Sequence, residues 1–128
     1  MDPRPARTSA QRLGDAAEDG VTADLEARGW RILGRRVRVG RLELDLVAID
    51  PGPPAMIVAV EVRWRKRRDF GLAEETVDRL KIARLRAAVG RLVDMGRLPD
   101  GTPLPDLLAR IDLVAVEPGG SRHHRGVG

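Results

Sequence analysis

The chain is predicted to fold as an α/β sandwich around a mixed sheet, with its elements in the order helix, three strands, helix, strand. Three observations carry that expectation. Residues 42–49 and 56–62 are strand-like runs separated by Asp50-Pro51-Gly52-Pro53-Pro54, which can continue neither, so a hairpin is the simplest connection. Residues 73–95 repeat apolar positions at helical spacing, and residues 110–117, RIDLVAVE, read as a last strand. The long helix then crosses between strands three and four, as a layered α/β fold requires.

Residues 1–9, with Pro3, Pro5, Arg4 and Arg7, read as a flexible basic tail, and the domain is expected over residues 10–117. Across residues 10–28, Leu13, Ala16, Ala17, Val21 and Leu25 share one helical face, with Glu18 one position past that stripe. Gly29 ends this helix, and Gly34 interrupts a first strand over residues 30–39. In the second strand Leu42, Leu44 and Leu46 alternate with Glu43, Asp45 and Val47, giving two unlike faces. The third, residues 56–62, is apolar and β-branched, as buried strands are.

In the long helix Val77, Leu80, Ala83, Ala87 and Leu92 are expected to face inward and Arg79, Arg86 and Arg91 outward, with Lys81 beside the seam. A loop with three prolines fills residues 96–106, and the Gly-rich residues 118–128 read as a disordered tail. His123 and His124 fall in that tail without a third ligand, which makes a poor metal site.

Composition narrows the function. The 128 residues suffice for one domain with a real core, built from Leu, Val, Ile and Ala because aromatic content is only 2%. A formal charge of +4 favours polyanionic partners. The chain has no cysteine, which excludes disulfides, thiolate zinc sites and a cysteine nucleophile. With no signal-like apolar segment and no long apolar run, a cytoplasmic protein without membrane contact is expected. Internal repeats, a Gly-rich phosphate loop and a Ser/His pairing suited to a triad are all missing.

The chemistry concentrates in the hairpin. If residues 51–55 form the loop, Asp50 faces Met56, and counting back puts Asp45 opposite Glu61 with Arg63 two residues beyond. Two carboxylates held side by side in an apolar strand repel each other and lose hydration, so a cation, a shared proton or a basic group must compensate. A divalent ion on oxygen ligands does so and can also activate water and polarise a phosphate. The competing reading puts Glu43, Asp45 and Glu61 on a solvated face with Arg63 as a salt-bridge partner. Basic residues gather around this hairpin: Arg35, Arg36, Arg38 and Arg41 before it, and Arg65, Lys66, Arg67 and Arg68 after it, where they could contact phosphates. Trp64 could stack on a base or pack under a loop.

Over residues 14–116 these pieces resemble the YraN-like family, small bacterial proteins with a restriction-endonuclease-like nuclease fold. The matching residues are Glu18, Leu25, Gly29-Trp30 and Ile32-Leu33, then Glu43-Leu44-Asp45-Leu46-Val47-Ala48. Val60-Glu61-Val62, Val77, Lys81, Leu85, Ala88 and Arg110-Ile111-Asp112-Leu113-Val114 complete the match. The specificity lies in their order and spacing.

The resemblance implies a three-layer sandwich and a metal-dependent nuclease core. Asp45, Glu61 and the carbonyl of Val62 would hold Mg2+ or Mn2+, with Glu18 assisting through water and basic residue 63 stabilising the transition-state charge. The family ordinarily carries Lys where this chain has Arg63, and a guanidinium cannot deprotonate to serve as a base. With 21 Arg and two Lys in the chain, that change reflects either a general arginine bias or a decayed site, and Lys81 offers a third route if it reaches the site. Three functions therefore stand at this level: a nuclease acting on DNA or on branched or damaged nucleic acid, a catalytically silent nucleic-acid-binding module, and a protein-interaction domain. The oligomeric state is open, a dimer among the options.

Overall fold

The computed structural model describes residues 8–66 and 77–127. Helix α1, Ser9–Ala27, starts at a capping box in which Thr8 Oγ1 accepts from the Gln11 N–H at 3.1 Å and Gln11 Oε1 accepts from the Thr8 N–H at 2.8 Å. It stops where Gly29 takes a positive φ and the Trp30 N–H donates back to the Leu25 carbonyl. Four strands of nine residues follow the expected order around a second helix: β1 Arg31–Val39, β2 Leu42–Asp50, β3 Met56–Trp64, α2 Arg79–Met95 and β4 Ala109–Glu117. A fifth strand, β5 Gly120–His124, ends the sheet.

The sheet is mixed, ordered β1-β2-β3-β4-β5, with β3 and β4 parallel and the other neighbours antiparallel. The two helices cover opposite faces, giving three layers. Val21, Leu25 and Trp30 pack with Leu46, Val58 and Val60 on one side. Leu85, Val89 and Leu92 pack with Leu44, Ile57 and Ala59 on the other. Asp50 pairs with Met56 as the loop count requires, and the β1 ladder shifts register between Ile32 and Gly34, where the glycine interrupts the strand. A Cβ on Gly34 would come within 2.9 Å of Leu98 Cδ1, so a larger residue there would have to displace that side chain.

Three expectations need correction. Residues 118–128 are not a disordered tail: β5 pairs with β4 from Glu117↔Gly120 to Leu113↔His124, and Gly119 and Gly120 at positive φ make the turn that glycine richness had disguised as disorder. Helix α1 buries Ala17, Glu18, Val21 and Leu25, while Leu13 is 42% exposed and Ala16 is exposed. On α2 the inward stripe is Leu85, Ala88, Val89 and Leu92; Leu80 is 57% exposed and Ala83 and Ala87 face outward, because α2 is turned relative to the expected seam. Of the basic tail, residues 1–7 lie outside the described residues, and Thr8 and Ser9 belong to the start of α1.

Candidate functional site

The site forms where the sheet forks. Strands β2 and β3 pair from Asp50↔Met56 to Leu46↔Val60 and no further, whereas β2 goes on beside β1 to Leu42 and β3 goes on beside β4 to Trp64. Asp45 stands at the fork. The β1 ladder passes from Leu46 to Leu44 without pairing Asp45. Opposite it, Arg36 takes a φ of +52°, a left-handed backbone that is rare for a residue with a side chain.

This distortion breaks the expected alternation. Leu44 packs in the α2-side core and Leu46 in the α1-side core, although they stand two positions apart, where alternation would place them on one face. Arg35 and Arg36 consequently both turn toward α1, where Arg35 Nη2 meets Asp19 at 2.6 Å and Glu18 at 3.3 Å, and Arg36 Nη2 meets Asp15 at 2.6 Å.

In place of a ladder bond, the Val62 N–H donates to Asp45 Oδ2 at 2.8 Å. Asp45 and Glu61 still come close, although the ladder stops one pair short of them, and the charge of Asp45 acts on the Glu61 carboxyl. Glu61 is 5% exposed and faces the α2 side by its alternation with Ile57 and Ala59. Its Oε1 accepts from Arg63 Nη2 at 3.0 Å, while its Oε2 is buried with no hydrogen-bond donor, as is Arg63 Nε with no acceptor. Burial, and then the charge of Asp45, push the Glu61 carboxyl up to about 7 against the pull of Arg63 and Lys81. Burial also raises Asp45, although the Val62 N–H works against it. Glu18 is raised by burial and by Asp45, with Arg36 and Arg35 opposing. The charge of Lys81, in the first turn of α2, also favours the ionised forms of Asp45 and Glu61.

A cleft of about 570 Å³ opens over the fork on the α1 side, bordered by Asp15, Glu18, Arg36, Asp45, Arg63 and Trp64. Val62 also lines it, whereas Glu61 lies behind the wall. The structure thus brings Glu18, Asp45 and Arg63 to one opening and Glu61 next to it, whereas Lys81 does not line the opening and acts there only through its charge. Among the described residues, no three acids or histidines converge as a metal cluster. The donor set nonetheless fits one hard cation in a limited way: two adjoining carboxylates, one carrying an orphaned buried oxygen, already need positive charge or a proton between them.

The basic residues divide. Arg35 and Arg36 are engaged by α1 acids, Arg38 reaches Glu43 at 3.8 Å, and Arg41 and Lys66 are exposed. Arg65 is half-buried, its N–H bonded to the Val116 carbonyl, and Arg67 and Arg68 lie outside the described residues.

Sequence reasoning missed a second polar centre. Asp112, wholly buried in β4, accepts from Arg110 Nε at 2.9 Å, His123 Nε2 at 2.8 Å and the Gly126 N–H at 2.9 Å. Arg110 Nη2 extends this network to Asp50 at 2.7 Å. Burial would raise the Asp112 carboxyl, but the bonds from His123, Arg110 and Gly126 outweigh it and hold it at about 2. An acid in the middle of RIDLVAV was the available signal, the same one that drew attention to Glu61.

Residues 17–116 match the uncharacterised protein family UPF0102. A UPF0102 protein of Roseiflexus castenholzii is 39% identical over 108 residues, covering 84% of this chain and 81% of the relative. One of Symbiobacterium thermophilum is 37% identical over 110 residues, 86% of each chain. One of Sorangium cellulosum is 46% identical over 88 residues, which cover 69% of this chain but only 59% of that longer relative. With the fold, the order of the motifs and these matches in agreement, the chain belongs to the uncharacterised protein family UPF0102.

Proposed function

We propose that the protein is a Mg2+- or Mn2+-dependent phosphodiesterase acting on nucleic acid, DNA or a branched or damaged form of it. The observation that carries this reading is the incompletely satisfied acid pair at the fork. Half-buried Asp45 lines an open cleft and buried Glu61 lies next to it, with Glu61 Oε2 unpartnered. Strand pairing that ends one step early leaves Asp45 at the edge of the cleft with Glu61 next to it. Asp45, Glu61 and the Val62 carbonyl would hold the cation, which when bound neutralises phosphate charge and acidifies water.

The chain's own residues supply the rest. Arg63 and Arg36 border the cleft, where their guanidiniums can meet a phosphate. Glu18, raised above the ordinary carboxylate range, is placed to take a proton from water on the α1 side, and Trp64 offers a wall against which a base can rest. Lys81 adds positive potential from the α2 side.

One observation favours a second reading, a binding module that holds nucleic acid without cutting it. Arg63 Nη2 already neutralises Glu61 at 3.0 Å and so competes with a metal for that carboxylate. Melting curves in millimolar MgCl2 or MnCl2 test the metal: the midpoint should rise, and Asp45→Asn should abolish the rise. No shift for the wild type defeats the metal-dependent mechanism. Labelled single-stranded, duplex and branched DNA then separate the readings, since retention without cleavage by both the wild type and Arg63→Lys leaves the binding module alone.

A further inference from the structure

We propose a second phosphate-binding site on the opposite face of the sheet from the fork, which grips nucleic-acid backbone leaving the cleft. It is a cavity of about 470 Å³ between the β1–β2 turn and the middle of α2. Val39, Leu42 and Ala87 line its apolar part, and Arg41, Arg84 and Arg91 supply three guanidiniums. No carboxylate lines it or pairs with these arginines among the described residues, unlike Arg35 and Arg36, which α1 acids engage.

The fold aims these side chains. Val39 pairs with Leu42, so Gly40 and Arg41 form a two-residue turn, with Gly40 at a φ of +62°. A Cβ on Gly40 would come within 3.0 Å of Arg91 Nη1, which places that guanidinium against the turn beside Arg41. Arg84 and Arg91 are seven residues apart, two helical turns and about 10 Å along the axis, on one face of α2.

Charge and continuity select the occupant. Planar guanidiniums match phosphate oxygens, and the apolar part suits sugar carbons. Leu42 lines this cavity while its neighbour Glu43 lines the fork cleft, so the two lie back to back at one end of β2. Only the exposed β1–β2 turn separates them, with Arg38 on one side and Arg41 at its tip. A strand held in the cleft can round that tip and reach the three arginines. The choice of nucleic acid as ligand rests on the function proposed above; the cavity and its charge do not.

The test uses the full chain with a labelled DNA duplex bearing a single-stranded extension, titrated over a salt series. Arg84→Gln with Arg91→Gln should weaken binding on the order of tenfold and lower the salt slope by about two, one for each phosphate no longer neutralised. Arg79→Gln with Arg97→Gln, which removes equal charge elsewhere, should change binding far less. Wild-type binding with affinity and slope untouched by the α2 pair overturns this inference and leaves the proposed function standing; no wild-type binding overturns both. If poly-glutamate binds as tightly as DNA and is weakened equally in the double variant, the cavity recognises acidic protein and the nucleic-acid assignment falls.

Discussion

Two buried acids on neighbouring strands meet opposite fates. Asp112 on β4 pairs across from Val60, immediately before Glu61 on β3. Around Asp112 every acceptor position is answered by Arg110, His123 or Gly126, and its carboxyl is held at about 2. Around Glu61 one oxygen has no donor, the nearest carboxyl is another acid, and its own is pushed up to about 7. Equal burial thus separates a brace from a site: a satisfied charge holds strands together, whereas an unsatisfied one beside a cleft is poised to take a proton or a cation.

The largest expected effect falls on the satisfied acid. Asp112→Ala leaves Arg110 and His123 facing an empty position, which should cost about 3–5 kcal/mol and lower the melting midpoint by roughly 10–20 °C. A drop comparable to that of a surface substitution, read by thermal denaturation, would mean that Asp112 is no brace. His123→Ala removes one donor to Asp112 and the ring that meets Trp30 at a centroid distance of 5.7 Å, and should cost about 1–3 kcal/mol in urea titrations.

Glu61→Gln should stay within about 1 kcal/mol of the wild type or stabilise it, because it removes a charge that the native state disfavours. The pH dependences should then run in opposite directions. Glu61 is raised in the folded state from 4.5 to about 7, so the folded form holds the proton more tightly; its contribution is full below pH 4.5 and declines as pH rises toward 7. Asp112 is lowered from 3.8 to about 2, so its contribution is full above pH 3.8 and is lost as pH falls toward 2. Urea midpoints across pH should show the decline between 4.5 and 7 in the wild type and a flatter line in Glu61→Gln; identical slopes would remove the contrast.

The smallest effect belongs to Arg63→Lys, about 0.5 kcal/mol in stability. Its value lies in sharpening the site. An ammonium has no planar fork with which to hold Glu61, so the midpoint rise on adding Mn2+ should grow. A smaller rise than in the wild type would show that the guanidinium assists the cation instead of competing with it.

Much of this was legible in the chain. The proline-rich break at residues 51–54 gave the hairpin register, which in turn brought Asp45 toward Glu61, and Gly34 marked the irregularity in β1. What stayed hidden depended on contacts distant in sequence. The Asp112 centre draws its donors from residues 110, 123 and 126, so it cannot be seen until β5 folds back, and a Gly-rich segment gives no local sign that it will. The break in alternation at Asp45 was invisible because it arises from the left-handed backbone of Arg36 on the facing strand, where no glycine advertises it. The phase of α2 was misread because alanines and leucines occupy several of its faces.

The rims of the sheet carry one more consequence. Strand β1, on one rim, is bent by its register shift and by Arg36, and carries Arg31, Arg35 and Arg38 exposed; β5, on the other, is only five residues long. Neither rim presents the straight, uncharged ribbon of free amides and carbonyls on which a foreign chain could crystallise as an extra strand. A protein with 42% hydrophobic residues is thereby guarded against amyloid-like growth at the two places where a sheet is most open to it.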